Sequence, residues 1–157
     1  QNQSKYEANV ASVAGKMDNR VIAAYQQLGF KLVVDPSVNY SGYFDARSRS
    51  ITMKQIDDSV YHELGHFLAF IAGNVDKTAS FQSIFAAEKA NVTAFNKAYV
   101  TQNASEYFAE SVKDYILNNA SLKSSRPQTY AAVQNALNQI TDAQIAKIQK
   151  IYGAFWN

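Results

Sequence analysis

The residues best suited to chemistry in this chain are His62, Glu63 and His66, in the run His-Glu-Leu-Gly-His. This run contains both histidines of the 157-residue sequence, four positions apart. On a helix, residues four apart lie on one face, so both imidazoles can bind one metal ion. The glutamate after the first histidine can act as a general base toward a water molecule. This spacing is the His-Glu-x-x-His pattern of zinc peptidases, and it predicts a zinc site.

The pattern supplies only two of the ligands that a catalytic zinc ion needs, which are three protein ligands beside one open position. The chain has no cysteine and no further histidine, so the third ligand should be a carboxylate. One common continuation of the pattern places a glycine and then a third histidine downstream. Here Ala69 and Ala72 occupy those two places, which excludes that class of zinc peptidase.

Glu106 is the predicted third ligand, and Glu110 lies one helical turn after it. Two glutamates at this spacing share one face of a helix. One can bind the metal while the other accepts a hydrogen bond from a ligand histidine, which fixes the tautomer of that histidine. We assign Glu106 to the metal and Glu110 to the histidine. Glu88, 22 residues after His66, is the competing third ligand.

Composition narrows the class of protein. The net charge of +2 and the scattered lysines and arginines argue against a nucleic-acid partner. The longest apolar stretch, Phe67 to Ala72, is far too short to cross a membrane. A length of 157 residues suits one domain with its own core.

The hydrophobic pattern before the histidines predicts one helix over residues 4–28, which Gly15 and Asp18 can divide and Gly29 ends. A strand is predicted over residues 30–34. Two further strands, at about 40–45 and 50–54, form a hairpin around the turn 46–49.

The histidines themselves fall in a predicted helix that begins among Asp57, Asp58 and Ser59, runs to about Ala72 and ends at Gly73. The remaining chain is predicted to be mostly helical. Its predicted helices are 78–91, 106–117 capped by Ser105, one that starts at Pro127, and one from Thr141 to about Ala154, with looser segments at 92–102 and 118–126.

The run Tyr99-Val-Thr-Gln-Asn-Ala-Ser-Glu106-Tyr-Phe-Ala-Glu110, downstream of the histidines, resembles the lethal-factor-like zinc metallopeptidases. These include the catalytic domain of anthrax lethal factor and the secreted Pro-Pro endopeptidases. In that family a tyrosine stands seven residues before the third zinc ligand, and a second glutamate stands four residues after it. Tyr99, Glu106 and Glu110 match these places. The run Arg126-Pro-Gln-Thr-Tyr130 also resembles the start of the helix that follows in lethal factor, and the resemblance covers about residues 40–140.

This resemblance implies one catalytic Zn²⁺ held by His62, His66 and Glu106, with Glu63 as the base. It also implies that Tyr99 donates a hydrogen bond to the developing oxyanion. We predict an α+β, zincin-like single domain over residues 1–157. Its first lobe, 1–73, should place a small twisted, mostly antiparallel sheet over the active-site helix, and residues 74–157 should form a helical C-terminal lobe.

The expected activity is hydrolysis of peptide bonds in a protein substrate that binds extended along the edge strand of the hairpin. The resemblance implies Pro-Pro bonds of a cell-surface or extracellular protein. Tyr40, Tyr43 and Phe44 could line the cleft, and packing in the core is the alternative for them. The first residue is Gln rather than Met and the chain carries several Asn-x-Ser/Thr sequences, so we expect a secreted bacterial protein, which we assume to be a monomer.

Two other functions stay open at this point. A toxin-type protease domain that cleaves an intracellular host protein would have the same active site. A non-catalytic zinc-stabilised binding module would need a closed site of four ligands, two of them carboxylates, which is unusual for structural zinc.

Overall fold

Residues 4–156, which the computed structural model describes, form a mixed α+β fold with a small four-stranded sheet. In chain order the elements are β1 (Tyr6–Ala8), α1 (Val10–Val13), α2 (Asn19–Gln27), β2 (Lys31–Val34), β3 (Gly42–Asp45), β4 (Ser50–Met53), α3 (Ser59–Ile71), α4 (Ala79–Glu88), α5 (Lys97–Val100), α6 (Ala104–Leu117), α7 (Asn119–Ser125), α8 (Pro127–Asn138) and α9 (Asp142–Trp156). Short 3₁₀ turns flank α4 at Val75–Lys77 and Lys89–Asn91.

The sheet has the strand order β1-β2-β4-β3, which puts β3 at one edge. The pairs β1–β2 and β3–β4 are antiparallel, whereas β2 and β4 run parallel. The predicted mostly antiparallel sheet is therefore confirmed. The predicted hairpin is also present, since β3 and β4 pair around the turn at residues 46–49.

The prediction of one helix over residues 4–28 is wrong in its first part. Tyr6–Ala8 form a strand, because they pair with β2 in the register Tyr6↔Val34 and Ala8↔Leu32. Long-range pairing of this kind overrides a local helical pattern. The division at Asp18 is confirmed, because its carboxylate accepts a hydrogen bond of 2.8 Å from the Arg20 amide and caps α2.

Two boundaries in the second half also differ from the predictions. Helix α6 begins at Ala104 and is capped by Asn103 rather than by Ser105. The segment predicted as a polar loop over residues 118–126 contains α7. The polar composition of this segment favoured a loop. In the structure Leu122 is buried, and α7 packs against α6 and α8.

Helix α3 lies at the centre of the core. Its residues are almost all buried, because the sheet packs against one side of the helix and α6 against another. One cluster of buried side chains joins the sheet to the helices and includes Leu32, Ile51, Leu64, Phe67 and Phe108. Burial of a side chain such as Phe67 contributes about 1.5–3 kcal/mol. Among the described residues, no helix is both long enough and apolar enough to cross a membrane.

Candidate metal centre

The two histidines project from one face of α3 toward α6. Their rings are 5.0 Å apart between centroids, and the His62 side chain is 9% exposed. The helix continues past them to Ile71 and ends at Gly73, whose backbone has φ of +83°. A glycine in this left-handed conformation is a common helix terminator, which confirms the predicted end of the helix.

Glu106 brings a carboxylate to both imidazoles. Its Oε1 atom lies 2.9 Å from His62 Nε2 and 3.2 Å from His66 Nε2. The three residues each offer one ligand atom, and these atoms lie within 4.8 Å of one another. The structure therefore brings together the three residues that the sequence predicted as metal ligands.

The start of α6 positions this carboxylate. Asn103 Oδ1 accepts a hydrogen bond of 2.8 Å from the Glu106 amide and caps the helix. The neighbouring Ser105 hydroxyl donates to Asp76 Oδ2 at 2.7 Å, which ties the first turn of α6 to the turn Val75–Lys77. An Asn-x-x-Glu sequence often forms a reciprocal capping box, in which the glutamate turns back to the cap residue. Here the Glu106 side chain turns to the histidines instead.

Gly65 allows α3 and α6 to approach closely enough for these contacts. A Cβ atom added at Gly65 would lie 2.6 Å from the carbonyl oxygen of Ala109 and 2.7 Å from its Cα. Both neighbours are backbone atoms, so any side chain at position 65 would push the helices apart. The glycine inside the histidine run thus sets the spacing between the two helices that carry the ligands.

Glu110, one turn after Glu106, contacts the other nitrogen of His62. The His62 Nδ1–H donates to Glu110 Oε1 at 2.8 Å, which leaves Nε2 free to face the metal position. Burial raises the pKa of Glu110, but the hydrogen bond with His62 and the charges of His62, Lys113 and Arg126 outweigh burial and lower it. Arg126 is itself buried and held by Ser111 and Asp114. This is the arrangement predicted for Glu110.

The two carboxylates also determine the charge of His62. Burial alone would lower the pKa of this imidazole, but the hydrogen bonds with Glu106 and Glu110 raise it to about 9. The pKa of Glu106 is lowered, chiefly by its hydrogen bonds with His62 and His66. The pocket is therefore strongly favourable for a cation, whether that cation is a proton or a metal ion.

Glu63 lies next to this triad and is 7% exposed. Burial raises its pKa, while the charges of His62 and His66 act in the opposite direction. A carboxylate with a raised pKa next to a metal position suits a general base. Tyr99 is also close to the triad, with its ring centroid 6.5 Å from that of His62. Its pKa is raised by burial and by the charges of Glu106 and Glu63, which keeps the phenol protonated and able to donate.

A cleft of about 480 Å³ opens beside these residues. It lies between the edge strand β3 and the segment before α6. Its lining residues are Tyr40, Ser41, Gly42, Ser59, His62, Glu63, Phe95, Asn96, Tyr99, Val100, Glu110 and Lys113.

Of the three aromatic residues predicted on the hairpin, Tyr40 lines this cleft. Tyr43 is 57% exposed and lies beside Tyr40, with 5.9 Å between ring centroids. Phe44 faces the other way: it packs against the core and stacks on His66 at 6.5 Å. Successive residues of a strand point to opposite faces, which separates Tyr43 from Phe44.

Glu88, the competing third ligand, lies elsewhere. It is 5% exposed at the end of α4, and its carboxylate accepts hydrogen bonds from the Gln128 amide at 3.0 Å and the Thr129 amide at 2.8 Å. The Thr129 hydroxyl donates to the same carboxylate at 2.7 Å. These donors belong to the first turn of α8, so Glu88 caps that helix and is not part of the metal-binding group.

Several residues of the site were not predicted from the sequence. Asn103 could have been found from its Asn-x-x-Glu spacing to Glu106. Phe95 and Lys113 line the cleft but carry no motif. The role of Gly65 depends on a distance between two helices, which no local pattern encodes.

The side chains of the triad fit a zinc ion by their chemistry and spacing. Two histidines and one glutamate are a known ligand set of catalytic zinc, and bonds of about 2.0–2.2 Å place tetrahedral ligands about 3.4 Å apart. The observed separations of 2.9 and 3.2 Å are close to this value. His62 also has the carboxylate partner that metal-binding histidines usually have.

A family model described as "Anthrax toxin lethal factor, N- and C-terminal domain" matches residues 45–136, which is more than half of the chain and includes His62, Glu63, His66, Tyr99, Glu106 and Glu110. The chain therefore belongs to this family, and the resemblance inferred from Tyr99, Glu106 and Glu110 is confirmed. Among curated proteins, the Pro-Pro endopeptidase of Clostridioides difficile (strain 630) is 41% identical over 78 residues. The match covers 47% of this chain and 34% of that relative, so the chain spans about a third of the relative's length.

Proposed function

We propose that this protein is a zinc-dependent endopeptidase. The observation that carries the proposal is the meeting of His62 Nε2, His66 Nε2 and Glu106 Oε1 at one side of an open cleft. Glu63 and Tyr99 line the same cleft, and both are groups that peptide-bond hydrolysis can use. Membership of the lethal factor family supports the same reaction.

The proposed mechanism assigns each side chain a separate task. His62, His66 and Glu106 would hold a zinc ion, which would supply Lewis-acid activation of a water molecule and of the scissile carbonyl. Glu63 accepts the proton of the attacking water and delivers it to the leaving amine, a role for which its raised pKa is suited. Glu110 holds the His62 ring in the tautomer that leaves Nε2 free.

Tyr99 is proposed to stabilise the transition state. Its phenol would donate a hydrogen bond to the carbonyl oxygen as negative charge develops there. Such donors are worth about 2.7–4 kcal/mol where they have been removed from other enzymes. The Tyr99 side chain is 56% exposed, so a bound substrate can reach it.

The proposed substrate is a protein segment that binds extended along β3. This strand has a free edge on the cleft side of the described sheet, and an added strand would pair with it through backbone hydrogen bonds. The name of the Clostridioides difficile relative, Pro-Pro endopeptidase, suggests bonds between two prolines, and we propose such bonds in an extracellular protein as the target here. We propose accordingly a secreted enzyme with a zincin-like fold and a single catalytic domain.

A peptide library tests the proposal. The protein is incubated with the library alone, with a chelator, and with the chelator followed by zinc, and products are identified by mass spectrometry. We expect cleavage that the chelator abolishes and zinc restores. Glu63→Gln should retain zinc but cleave about 10²–10⁴-fold more slowly, because it removes the general base.

Glu7→Gln is the matched control, since it makes the same chemical change on an exposed side chain of β1. It should cleave at the wild-type rate. A wild-type protein that binds zinc but cleaves no peptide would favour a binding module, and chelator-resistant cleavage would exclude the zinc mechanism.

A further inference from the structure

Gly42, at the start of the edge strand, lies against the side chain of Glu63. A Cβ atom added at Gly42 would be 2.9 Å from Glu63 Cγ and 3.1 Å from Glu63 Oε2. It would also be 3.1 Å from the Met53 sulfur. The first distance is shorter than real Cβ contacts allow, so a side chain at position 42 would have to displace Glu63.

The backbone conformation of Gly42 does not explain why a glycine is present. Among the described glycines, only Gly29 and Gly73 have a positive φ. Gly42 adopts a strand conformation that any residue can adopt, and it pairs with Met53 in a regular register. A glycine inside a strand often marks a place where another group approaches closely, and here that group is Glu63.

The register of β3 explains how the strand holds the carboxylate. The Lys54 amide donates to the Ser41 carbonyl at 3.1 Å, so the Ser41–Lys54 pair is a hydrogen-bonded pair of the antiparallel ladder. In such a ladder, hydrogen-bonded and non-hydrogen-bonded pairs alternate along the strand. Gly42 and Phe44 therefore belong to non-hydrogen-bonded pairs and direct their backbone amides and carbonyls away from β4. The Phe44 amide on this free edge favours the ionised form of Glu63 and acts against the rise in its pKa that burial causes. The Glu63 side chain lies against the strand at Gly42, in the space that this glycine leaves open.

We propose that Gly42 is a positioning residue for Glu63: its missing side chain provides the space in which the base is held between the edge strand and the metal centre. The inference rests on the proposed function, because it assigns Glu63 the role of base. Gly42 touches no reacting atom in this scheme and acts only through Glu63.

The kinetic test compares Gly42→Ala with Gly15→Ala. A Cβ atom at Gly15 would meet nothing closer than 3.8 Å, so this variant is the matched control. Gly42→Ala should lower kcat about 10–100-fold while KM and zinc content stay within about twofold of wild type. We expect kcat to change and KM to stay the same because a displacement of the base by an ångström or less slows the chemical step without weakening substrate binding. Gly15→Ala should match the wild type in all three quantities.

A second measurement does not depend on turnover. Gly42→Ala is made in the wild-type and in the Glu63→Ala background, and Tm is measured for the four proteins. Forcing a methyl group into filled space should lower Tm by about 3–6 °C when Glu63 is present. The loss should be less than half as large in the Glu63→Ala background, because the Cγ atom that the methyl group meets is gone.

The outcomes separate the inference from the proposed function. If the wild-type protein cleaves no peptide, the proposed function is overturned, and so is the proposed role of Gly42 in positioning a catalytic base. If the wild type is active and Gly42→Ala keeps full kcat, only this inference is overturned. Equal Tm losses in the two backgrounds would also overturn it, since the glycine would then make room for Met53 instead.

Discussion

Glu88 and Glu106 are both carboxylates on helices that follow the histidines, yet they have different partners. Glu88 accepts three hydrogen bonds from the first turn of α8, two of them from backbone amides. Glu106 is held by two imidazoles, at 2.9 and 3.2 Å, beside an open cleft. The first carboxylate completes the hydrogen bonds of a helix end, and the second completes a group that can exchange a proton for a metal ion.

The difference shows how a buried carboxylate can be assigned to structure or to chemistry. Backbone amides at a helix start have no other partner, so a carboxylate that accepts from them is committed to the fold. Imidazole nitrogens are metal ligands in their own right, and a carboxylate among them remains available to a cation. Four substitutions test this distinction.

Glu106→Gln should have the largest effect and should act on metal binding. Loss of outer partners of a metal site typically costs 10–100-fold in affinity, and loss of a direct ligand should cost about 1000-fold, or about 4 kcal/mol. Competition with a chelator of known affinity measures the change. The far-ultraviolet circular dichroism should stay that of the wild type, and wild-type zinc affinity would show that Glu106 is not a ligand.

Glu88→Ala should lower the stability of the fold and leave zinc binding unchanged. It leaves the amides of Gln128 and Thr129 and the Thr129 hydroxyl without their acceptor. Unpaired buried groups cost about 1–3 kcal/mol each, so the variant, with three such donors, should lose at least about 3 kcal/mol in the free energy of unfolding. Denaturant unfolding measures the loss, and zinc bound per chain should not change. Zinc loss from this variant, with wild-type binding by Glu106→Gln, would reverse the two assignments.

Glu110→Gln should weaken zinc binding about 10–100-fold, which is less than the effect of Glu106→Gln. The reason is that Glu110 contacts His62 and not the metal position. The same chelator competition ranks the two variants. An effect of Glu110→Gln equal to that of Glu106→Gln would mean that both carboxylates bind the metal directly.

Asp18→Ala should have the smallest effect. Asp18 caps α2 as Glu88 caps α8, but it is partly exposed and local to its own helix. Loss of such a cap costs about 1 kcal/mol in the free energy of unfolding. A loss as large as that of Glu88→Ala would contradict the distinction between an exposed and a buried cap.

The contribution of Asp18 to the free energy of unfolding should also fall as the pH is lowered. Its pKa is lowered from 3.8, mainly by the hydrogen bond with Arg20. A carboxyl group whose pKa is lower in the folded state stabilises the fold above its unfolded pKa and loses that contribution as pH falls through the folded value. The difference in unfolding free energy between wild type and Asp18→Ala should therefore shrink below about pH 4.

The grouping of the candidate metal ligands could be predicted well from the sequence because helical spacing and residue type are local properties. His62, His66, Glu106 and Glu110 were each assigned from such spacing or from the family resemblance. The choice between Glu106 and Glu88 could not be made by spacing alone, since both lie on helices downstream of the histidines. It depends on which donors the fold places around each carboxylate.

The errors in the fold arose where distant residues decide the local structure. Tyr6–Ala8 are a strand only because β2 lies beside them. The segment around Leu122 is helical although its composition is that of a loop, because α6 and α8 enclose it. The spatial roles of Gly42 and Gly65 are of the same kind, since each depends on atoms of another element.

The close approach at Gly65 makes α3 and α6 one mechanical unit. The three proposed metal ligands, the proposed base and Glu110 are attached to this unit, whereas Tyr40, Phe95 and Tyr99 belong to segments outside it. Movement of the cleft walls can then change what the cleft admits without changing the spacing of His62, His66 and Glu106. Substitutions in the walls can therefore alter which peptide fits the cleft while the two helices that carry the proposed metal ligands keep their relative position.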